Sequence, residues 1–394
     1  MKPGNRMSQR SKHEYFEVMY ARYRRATAKQ KEQLLDELCR VCGYHRKHAI
    51  RKLHQPLREP SRRKPPARGL TYSAQTLSIL TAVWEAAGYP WSLRLKALLP
   101  LWLPWIKQHF RLTAAVEQQL LHISPRQIDR RLQGHKRKLR KRIYGRTKPG
   151  SLLKHQIPIR TTHWEVTTPG YVEIDLVAHS GKSASGDYIF SLNLTDIFTG
   201  WVETRAVMGK GQRGIVTALN EMCAALPFAL QGIDSDNGSE FINAHLVRFC
   251  EQRHIQFTRG RPYKKDDNAH IEQKNWTHVR KVMGWERYDS PRALVALNTF
   301  YAGPWCTMMN LFQPCIKLQQ KVRKGSRLIR KYDTPQTPLD RLSACKQGRH
   351  AMIVGLERQR ASCDPFVLAR TIECQIEAIW GLANPRHSPG TTVG

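Results

Sequence analysis

A succession of short β-type runs after residue 170 constrains the fold of this chain more than any other feature. Tyr171–Val177, Tyr188–Thr195 and Trp201–Val207 are rich in β-branched and aromatic residues, and glycine-containing turns separate them. A helical stretch, Gln212–Leu226, comes next, and short strands then alternate with helices up to a last helix that begins near Asp267. Three hairpin-connected strands followed by alternating elements predict a mixed sheet with helices on its faces.

The part of the chain before these strands has helical patterns. Ala28–Val41 carries apolar residues at helical spacing, Gly43 marks a turn, and Tyr44–Leu53 has the composition of a second, basic helix. A helix, a glycine turn and a basic helix are the pattern of a helix-turn-helix, which places its second helix in the DNA major groove. Any small helical hairpin shares this pattern, so both interpretations stay open.

A second helical unit runs from about Ser73 to Leu132. Its last helix is predicted to begin with Ser124 as the N-cap and Pro125 at the first helical position. Arginines line one side of this helix, which fits either a second recognition helix for DNA or an ordinary capped structural helix. The densely basic run His135–Arg142 follows and is typical of a segment that tracks nucleic acid or of a solvated linker.

The charge of the chain indicates the kind of partner. Residues 1–164 hold 36 of the 65 Lys and Arg and 9 of the 31 Asp and Glu, so +27 of the net +34 lies there and +7 in residues 165–394. Such a surplus favours a polyanion, meaning nucleic acid or an anionic membrane. The longest apolar run, Ala97–Ile106, is too short for a bilayer span, which needs about 20 residues. With nine scattered cysteines, we expect a soluble cytoplasmic protein with no membrane partner.

Three acidic residues have the positions that phosphodiester chemistry requires. Asp175 lies in the first strand, Asp236 follows the fourth strand in an Asp-Asn-Gly segment, and Glu272 lies in the last helix, with 35 residues between it and Asp236. Such carboxylates can bind Mg²⁺, and two such ions neutralise the charge that develops at phosphorus. Other interpretations remain. Glu173 could take the role of Asp175, Asp234 could take that of Asp236, and Asp-Asn-Gly could be a simple turn.

These residues and their surroundings resemble the D,D-35-E catalytic core of retroviral integrases and of integrase-type bacterial insertion-sequence transposases. The resemblance implies an RNase H-like fold, dependence on Mg²⁺ with Mn²⁺ as a substitute, cleavage at transposon ends, and strand transfer into target DNA. Two alternatives are a catalytically inactive, transposase-derived DNA-binding regulator and a structure-selective nuclease. The similarity extends over most of the chain as far as Lys331–Pro335 and is clearest at Val172–Gly181, Thr195–Trp201, Asp236–Phe241 and Ile271–Arg280.

The resemblance further implies that Asp175, Asp236 and Glu272 are both the catalytic residues and the metal ligands. The expected fold class is α/β: an RNase H-like mixed-sheet catalytic core, preceded by an all-α helix-turn-helix DNA-binding region and followed by a mainly helical C-terminal region. We expect four domains. They are the helix-turn-helix (1–68), the second helical unit with its basic linker (69–160), the catalytic core (161–290) and a basic, helical C-terminal region (291–394).

The expected partner is double-stranded DNA, both the terminal repeats of a transposon and its target. Because two ends must be held together, we expect a homodimer or a larger assembly, associated with the bacterial nucleoid when bound to DNA. The apolar periodicity of Asp364–Leu382 is a candidate for this self-association. The basic side chains predicted to contact DNA are Arg46, Lys47, Arg51, Arg126, Arg130, Arg131, Arg137, Lys138, Lys264, Lys265, Lys274 and Lys281.

Overall fold

The structure, a computed structural model, divides into two units, Met1–Thr71 and Tyr72–Gly394. It confirms the expected mixed α/β architecture, with a five-stranded mixed sheet and many helices. In the part of the chain that is described, no helix is both long enough and apolar enough to cross a membrane. The described residues are 8–56, 72–143, 166–235, 244–259, 274–324 and 327–385.

The first unit is built from helices, and the two that the sequence predicted begin and end within two residues of the expected positions. Gly43 ends the first of these two with φ +67°, a left-handed conformation that glycine adopts without strain because it has no Cβ atom. The chain therefore turns sharply into the basic third helix. The described helices of this unit are α1 (Gln9–Arg25), α2 (Ala28–Cys42) and α3 (Arg46–His54). Their shared core consists of Phe16, Met19, Leu34, Leu35, Leu38, Cys42, Ala49 and Leu53.

The second unit begins with four helices. The sequence predicted the start of the last one correctly, because Gln127 N donates to Ser124 Oγ over 3.3 Å and Pro125 is the first helical residue. The second of them continues through Pro100 and Pro104 and buries most of its large apolar side chains, Trp102 among them. These helices are α4 (Ala74–Ala86), α5 (Ser92–His109), α6 (Ala114–His122) and α7 (Pro125–Ile143).

A single five-stranded sheet follows, in the strand order β3-β2-β1-β4-β5. The first three strands pair antiparallel, whereas β4 runs parallel to β1 and β5 parallel to β4. The mixed sheet with flanking helices that the sequence predicted is therefore present. Its elements are β1 (Tyr171–Ala178), β2 (Ile189–Asp196), β3 (Val202–Met208), α8 (Gln212–Ala225), β4 (Gly232–Ser235), α9 (Ala244–Gln252) and β5 (Gln256–Arg259).

Several short helices follow residue 274. Three of them, Asn275–Arg280, Tyr301–Trp305 and Met308–Phe312, are wound as π-helices. Two basic runs, Leu318–Lys324 and Arg327–Tyr332, pair as antiparallel strands, which the sequence did not predict. These elements are α10 (Asn275–Arg280), α11 (Lys281–Met283), α12 (Pro291–Phe300), α13 (Tyr301–Trp305), α14 (Met308–Phe312), β6 (Leu318–Lys324), β7 (Arg327–Tyr332), α15 (Pro338–Cys345), α16 (His350–Ser362) and α17 (Pro365–Trp380).

The last helix, α17, lies where the sequence predicted a helix from apolar periodicity. Its apolar side chains pack against α4, α5 and α12 of the same unit. Phe366 contacts Trp102 edge to face, with ring centroids 5.2 Å apart. Much of the apolar face of α17 is therefore buried against the core of its own chain.

Candidate active site

Asp175 lies on β1, the central strand of the sheet, between β2 and β4. Its side chain is half-buried. Leu176 N donates to Oδ1 over 2.8 Å, and Asn275 Nδ2 donates to Oδ2 over 2.5 Å. Two accepted hydrogen bonds suit an ionised carboxylate, whose oxygens can only accept. The local fold thus fixes the orientation of the Asp175 carboxylate at the middle of the sheet.

Asn275 is itself held by a chain of hydrogen bonds that crosses the sheet. Asn193 Nδ2 donates to Asn275 Oδ1 over 3.0 Å, and Thr204 Oγ1 donates to Asn193 Oδ1 over 3.0 Å. Asp175, Asn193 and Thr204 are successive Cα partners on β1, β2 and β3, and both of the latter are buried. Because each amide oxygen already has a donor, the NH₂ group of Asn275 is the end that faces Asp175.

The other two predicted catalytic acids, Asp236 and Glu272, lie outside the described residues. β4 ends at Ser235, and the Cα partner of Ser235 is Ile174, the residue before Asp175. The next described residue after β5 is Lys274, which directly precedes the asparagine that binds Asp175. The structure therefore brings Asp175 together with the residue that precedes Asp236 and with a residue three positions after Glu272.

The two rival acids named from the sequence have structural surroundings of their own. Glu173 is 4% exposed, so it is far less accessible than Asp175. Asp234 Oδ1 accepts a hydrogen bond from Thr258 Oγ1 over 2.7 Å, which joins β4 to β5. Of the two acids of β1, Asp175 is therefore the more exposed.

His179 follows β1 and is fully buried. Its Nε2 is 2.8 Å from Ser191 Oγ, which lies 2.9 Å from the Tyr301 hydroxyl. Burial lowers the pKa of His179 to about 3, and the positive charge of Arg280 acts in the same direction. His179 is therefore a neutral packing residue beside the site and has no exposed surface for a substrate.

The predicted DNA-contacting side chains of the first unit all lie on α3 and are exposed. Arg46 forms ion pairs with Asp36 and, over 3.7 Å, with Glu32, both of which belong to α2. Exposed pairs of this kind contribute little to stability, so Arg46 can exchange a carboxylate for a phosphate. Lys47 and Arg51 extend the same basic helix.

The predicted contacts of the second helical unit lie on α7. Arg126, Arg130 and Arg137 are exposed, whereas Arg131 is half-buried with its guanidinium 5.7 Å from the centre of the Tyr72 ring. Lys138 belongs to α7, but its side chain lies outside the described residues, as do Lys264 and Lys265 entirely.

Lys274 and Lys281 have partners within the second unit. Lys274 Nζ donates to Gly200 O over 3.2 Å, and Lys281 Nζ donates to Gly88 O over 2.7 Å. Burial lowers the pKa of Lys274 to about 8, and the charge of Arg94 acts in the same direction. Arg94 was not singled out from the sequence, although it is the one arginine of the largely apolar helix α5, a signal that could have identified it.

A Mg²⁺ site at Asp175 depends on acids from outside the described residues. The carboxylate oxygens of Asp175 are the hard donors that Mg²⁺ prefers. In the ranges that the structure describes, no three His, Cys, Asp or Glu side chains lie close enough to hold a metal ion. Asp236 and Glu272 are the carboxylates that the sequence offers to complete such a site.

Comparison with known proteins identifies a relative over nearly the whole chain. No family model matches the sequence. The chain is 38% identical over 353 residues to the uncharacterized protein y4rM of Sinorhizobium fredii (strain NBRC 101917 / NGR234), and the match covers 87% of this chain and 99% of that protein. The chain therefore belongs to the same family as y4rM.

Two solved structures show a weaker likeness. They are structures of the HTLV-2 integrase catalytic core domain in complex with magnesium, in a dimeric and a trimeric form. Each is 15% identical to this chain. The dimeric form has a TM-score of 0.28 and matches 38% of this chain and 92% of its own. The trimeric form has a TM-score of 0.27 and matches 37% of this chain and 89% of its own.

Proposed function

We propose that the chain is an integrase-type DNA transposase that cuts DNA at the ends of a transposon and joins those ends to target DNA. The observation that carries this proposal is the hydrogen bond from Asn275 to Asp175. It holds the segment that directly follows Glu272 against the central strand of the sheet. We therefore propose that the three acids implied by the resemblance form one site, at Asp175 on the central strand.

Chain connectivity supports the same arrangement for Asp236. Ser235 lies beside Ile174, the residue before Asp175, and Asp236 is the next residue of the chain, with consecutive Cα atoms about 3.8 Å apart. The closest rival, Asp234, is engaged with Thr258. Asp175, Asp236 and Glu272 would hold Mg²⁺, or Mn²⁺ in its place, which neutralises the charge that develops at the phosphorus.

The reaction that follows consists of two in-line displacements. In the first, a water oxygen attacks phosphorus and the P–O3′ bond breaks, which leaves a 3′-hydroxyl and a 5′-phosphate. In the second, that 3′-hydroxyl attacks a phosphorus of the target, and the P–O3′ bond there breaks. One phosphodiester bond forms for each one lost, so strand transfer needs no external energy. The contribution of this chain is positioning, with Asn193 and Asn275 fixing the direction in which Asp175 presents its carboxylate.

The net charge of +34 supports DNA as the substrate. We assign recognition of the terminal repeats to the helical regions 1–68 and 69–160, through the exposed arginines of α3 and α7. The core at 161–290 carries the chemistry, and the basic strands β6 and β7 of the region 291–394 add further DNA contacts. Because two ends must be joined in one event, the active form is a homodimer or a larger assembly.

The proposal is tested with the full chain on a duplex that carries the inverted repeats flanking its gene. Asp175→Asn and Asp236→Asn should each lower Mg²⁺-dependent nicking at least 100-fold and leave duplex binding within about threefold, since the charge removed acts on the reacting phosphate. Glu251→Gln, an exposed acid of α9, is the matched control and should nick at the wild-type rate.

The two alternatives give different results in the same assay. A DNA-binding regulator binds the duplex and never nicks it, whatever the residue at position 175. A structure-selective nuclease nicks but does not join pre-cleaved ends to a plasmid target. Nicking that is unchanged in Asp175→Asn rejects the proposed site altogether.

A further inference from the structure

A small basic pocket lies in the second unit, next to the segment that binds Asp175. It is formed where α5, the start of α10, α14 and the segment after α14 meet. Lys274 lines it, and its neighbour in the sequence, Asn275, donates to Asp175. The pocket and the candidate site are therefore tied together by two adjacent residues. The lining residues are Arg94, Lys274, Thr277, His278, Met309, Gln313, Pro314 and Cys315.

The charges around this pocket are all of one sign. Arg94 and Lys274 line it, and no acidic side chain of the described residues does. The guanidinium of Arg94 makes no hydrogen bond or ion pair within the part of the chain that the structure describes. Arg341, by contrast, is a buried arginine close by, and it pairs with Asp333 over 2.6 Å. A half-buried cation without a counterion is unfavourable, because burial removes water and returns no partner.

The size and composition of the pocket indicate what fills it. Its volume is about 20 Å³, which is room for one or two atoms of the size of a water oxygen and too little for a base or a sugar. Arg94, Lys274, Thr277 and Gln313 are half-buried, so the pocket opens at the surface of the unit. The guanidinium of Arg94 and the ammonium of Lys274 can both donate hydrogen bonds to an anionic oxygen there. The Thr277 hydroxyl and the Gln313 amide are already engaged, with His278 Nδ1 and Ala87 O respectively.

We propose that this pocket binds a non-bridging phosphate oxygen of the DNA backbone, with Arg94 as the residue that completes it. The inference rests on the proposed function, because the phosphate is one of the DNA strand that Asp175 and its neighbours process. Arg94 supplies the planar guanidinium that suits phosphate geometry, and Lys274 supplies the second positive charge. The helical region of the unit thereby contacts the substrate beside the catalytic core.

The test is the salt dependence of duplex binding by the full chain, measured without divalent metal. Each phosphate contact adds about 0.9 to the slope of log K against log salt concentration. Arg94→Gln should lower the magnitude of the slope by about 1 and weaken binding about tenfold at low salt. Arg94→Lys keeps the charge and should keep the slope, while Lys274→Gln should resemble Arg94→Gln. Arg370→Gln, which removes an exposed arginine of α17, should leave the slope unchanged.

A second measurement separates a DNA phosphate from a free anion and needs no DNA. Inorganic phosphate at constant ionic strength should raise the unfolding temperature of the wild type and not that of Arg94→Gln. If phosphate acts through Arg94 but the slope for DNA is the same in both proteins, the pocket is a free-anion site and the proposal is rejected. A wild-type slope and affinity in both Arg94→Gln and Lys274→Gln also rejects it.

These results do not depend on cleavage. A chain that binds DNA with the expected slopes and never nicks it refutes the transposase proposal and leaves the phosphate pocket standing. A chain that nicks normally while Arg94→Gln binds like the wild type refutes the pocket alone. Thermal unfolding of each variant shows whether it is folded, and the wild-type response to phosphate remains informative if one variant is not.

Discussion

The side-chain amide of Asn275 donates a hydrogen bond to the Asp175 carboxylate over 2.5 Å, across 100 positions of the sequence. The donor sits at the start of α10 and the acceptor at the middle of the sheet. Asn193 holds the other end of the same amide. Asn193 can therefore control, through Asn275, how the Asp175 carboxylate is oriented.

Removal of Asn193 should disturb both the stability and the chemistry of the protein. Asn193→Ala leaves Asn275 Oδ1 and the Thr204 hydroxyl without a buried partner, and each loss costs about 1–3 kcal/mol. We expect unfolding free energy to fall by about 2 kcal/mol or more and nicking to fall about tenfold, with metal-free DNA binding unchanged. Urea unfolding and a nicking assay measure the two effects.

A double-mutant cycle with Asn275→Ala makes the prediction specific. The two substitutions should be non-additive, with a coupling energy of about 0.5–3 kcal/mol, because they interrupt the same chain of bonds. Asn220→Ala, at an exposed asparagine of α8, is the control and should combine additively with Asn275→Ala. Additive effects for the Asn193 pair would mean that the chain of bonds does not transmit orientation.

His179 should make the protein less stable in acid. Its folded-state pKa is lowered to about 3 because it is buried, with Arg280 adding positive charge nearby, while the unfolded value is about 6.5. The ring of Tyr288 faces that of His179, and Ser191 connects His179 to the Tyr301 hydroxyl. None of these three side chains is charged at these pH values. As pH falls below about 6.5, the unfolded chain binds a proton that the folded one does not, so stability declines towards pH 3.

The slope of that decline identifies the residue. One such histidine contributes about 1.4 kcal/mol per pH unit between pH 6 and 4. The stability of His179→Gln, measured by urea unfolding at several pH values, should therefore decline less steeply by about that amount. His135→Gln, at an exposed histidine, should keep the wild-type slope. A slope unaffected by His179→Gln would show that other groups dominate.

Arg287 organises the connection between β1 and β2. Its guanidinium donates to the carbonyl oxygens of Ser183, Ser185 and Asp187 over 2.9–3.0 Å and pairs with Asp289 over 2.7 Å. Lysine cannot reproduce this planar set of donors. Arg287→Lys should lower unfolding free energy by about 3 kcal/mol, since a buried guanidinium that makes several hydrogen bonds at once is lost.

The same change should make residues 181–187 more sensitive to proteolysis than the rest of the unit, which limited digestion and mass spectrometry can show. Arg213→Lys, at an exposed arginine of α8, should change neither stability nor the digestion pattern. Digestion that leaves residues 181–187 intact in Arg287→Lys would contradict this account of the loop.

The sequence predicted the elements of the sheet well, because hydrophobic alternation and glycine turns are local signals. The expected Tyr171–Val177, Tyr188–Thr195 and Trp201–Val207 differ from β1, β2 and β3 by one residue at their ends. It did not predict the hairpin β6–β7, where lysines and arginines obscure the apolar alternation. Strand identity there depends on pairing between the two runs, which no single run reveals.

The candidate site was predictable in part. Asp175 was found because its strand and its neighbours carry a recognisable pattern. The role of Asn193 could not be found, because it depends on the register that sets Asn193 opposite both Asp175 and Thr204. The position of Arg94 beside Lys274 could not be predicted for a similar reason. Only the packing of α5 against the start of α10 places its charge beside Lys274.

Gly170 provides a prediction about how the sheet is tied together. Its N–H donates to the buried carboxylate of Asp196 over 2.8 Å, and its carbonyl accepts from Gln231 and Gly232, which precede or begin β4. Its φ is +115°, and a Cβ atom would lie 2.4 Å from the carbonyl oxygen of Ala229. Gly170→Ala must therefore shift backbone that joins β1, β2 and β4.

We expect Gly170→Ala to lower unfolding free energy by about 3 kcal/mol or more, because an unfavourable φ costs about 1–3 kcal/mol and the clash adds to it. Gly211→Ala is the control. A Cβ there meets nothing within 4 Å, and its φ is −62°, so its stability should change by less than about 1 kcal/mol. Equal unfolding curves for the two variants would show that the contact at Gly170 is relieved at little cost, and nicking by Gly170→Ala would then match the wild type.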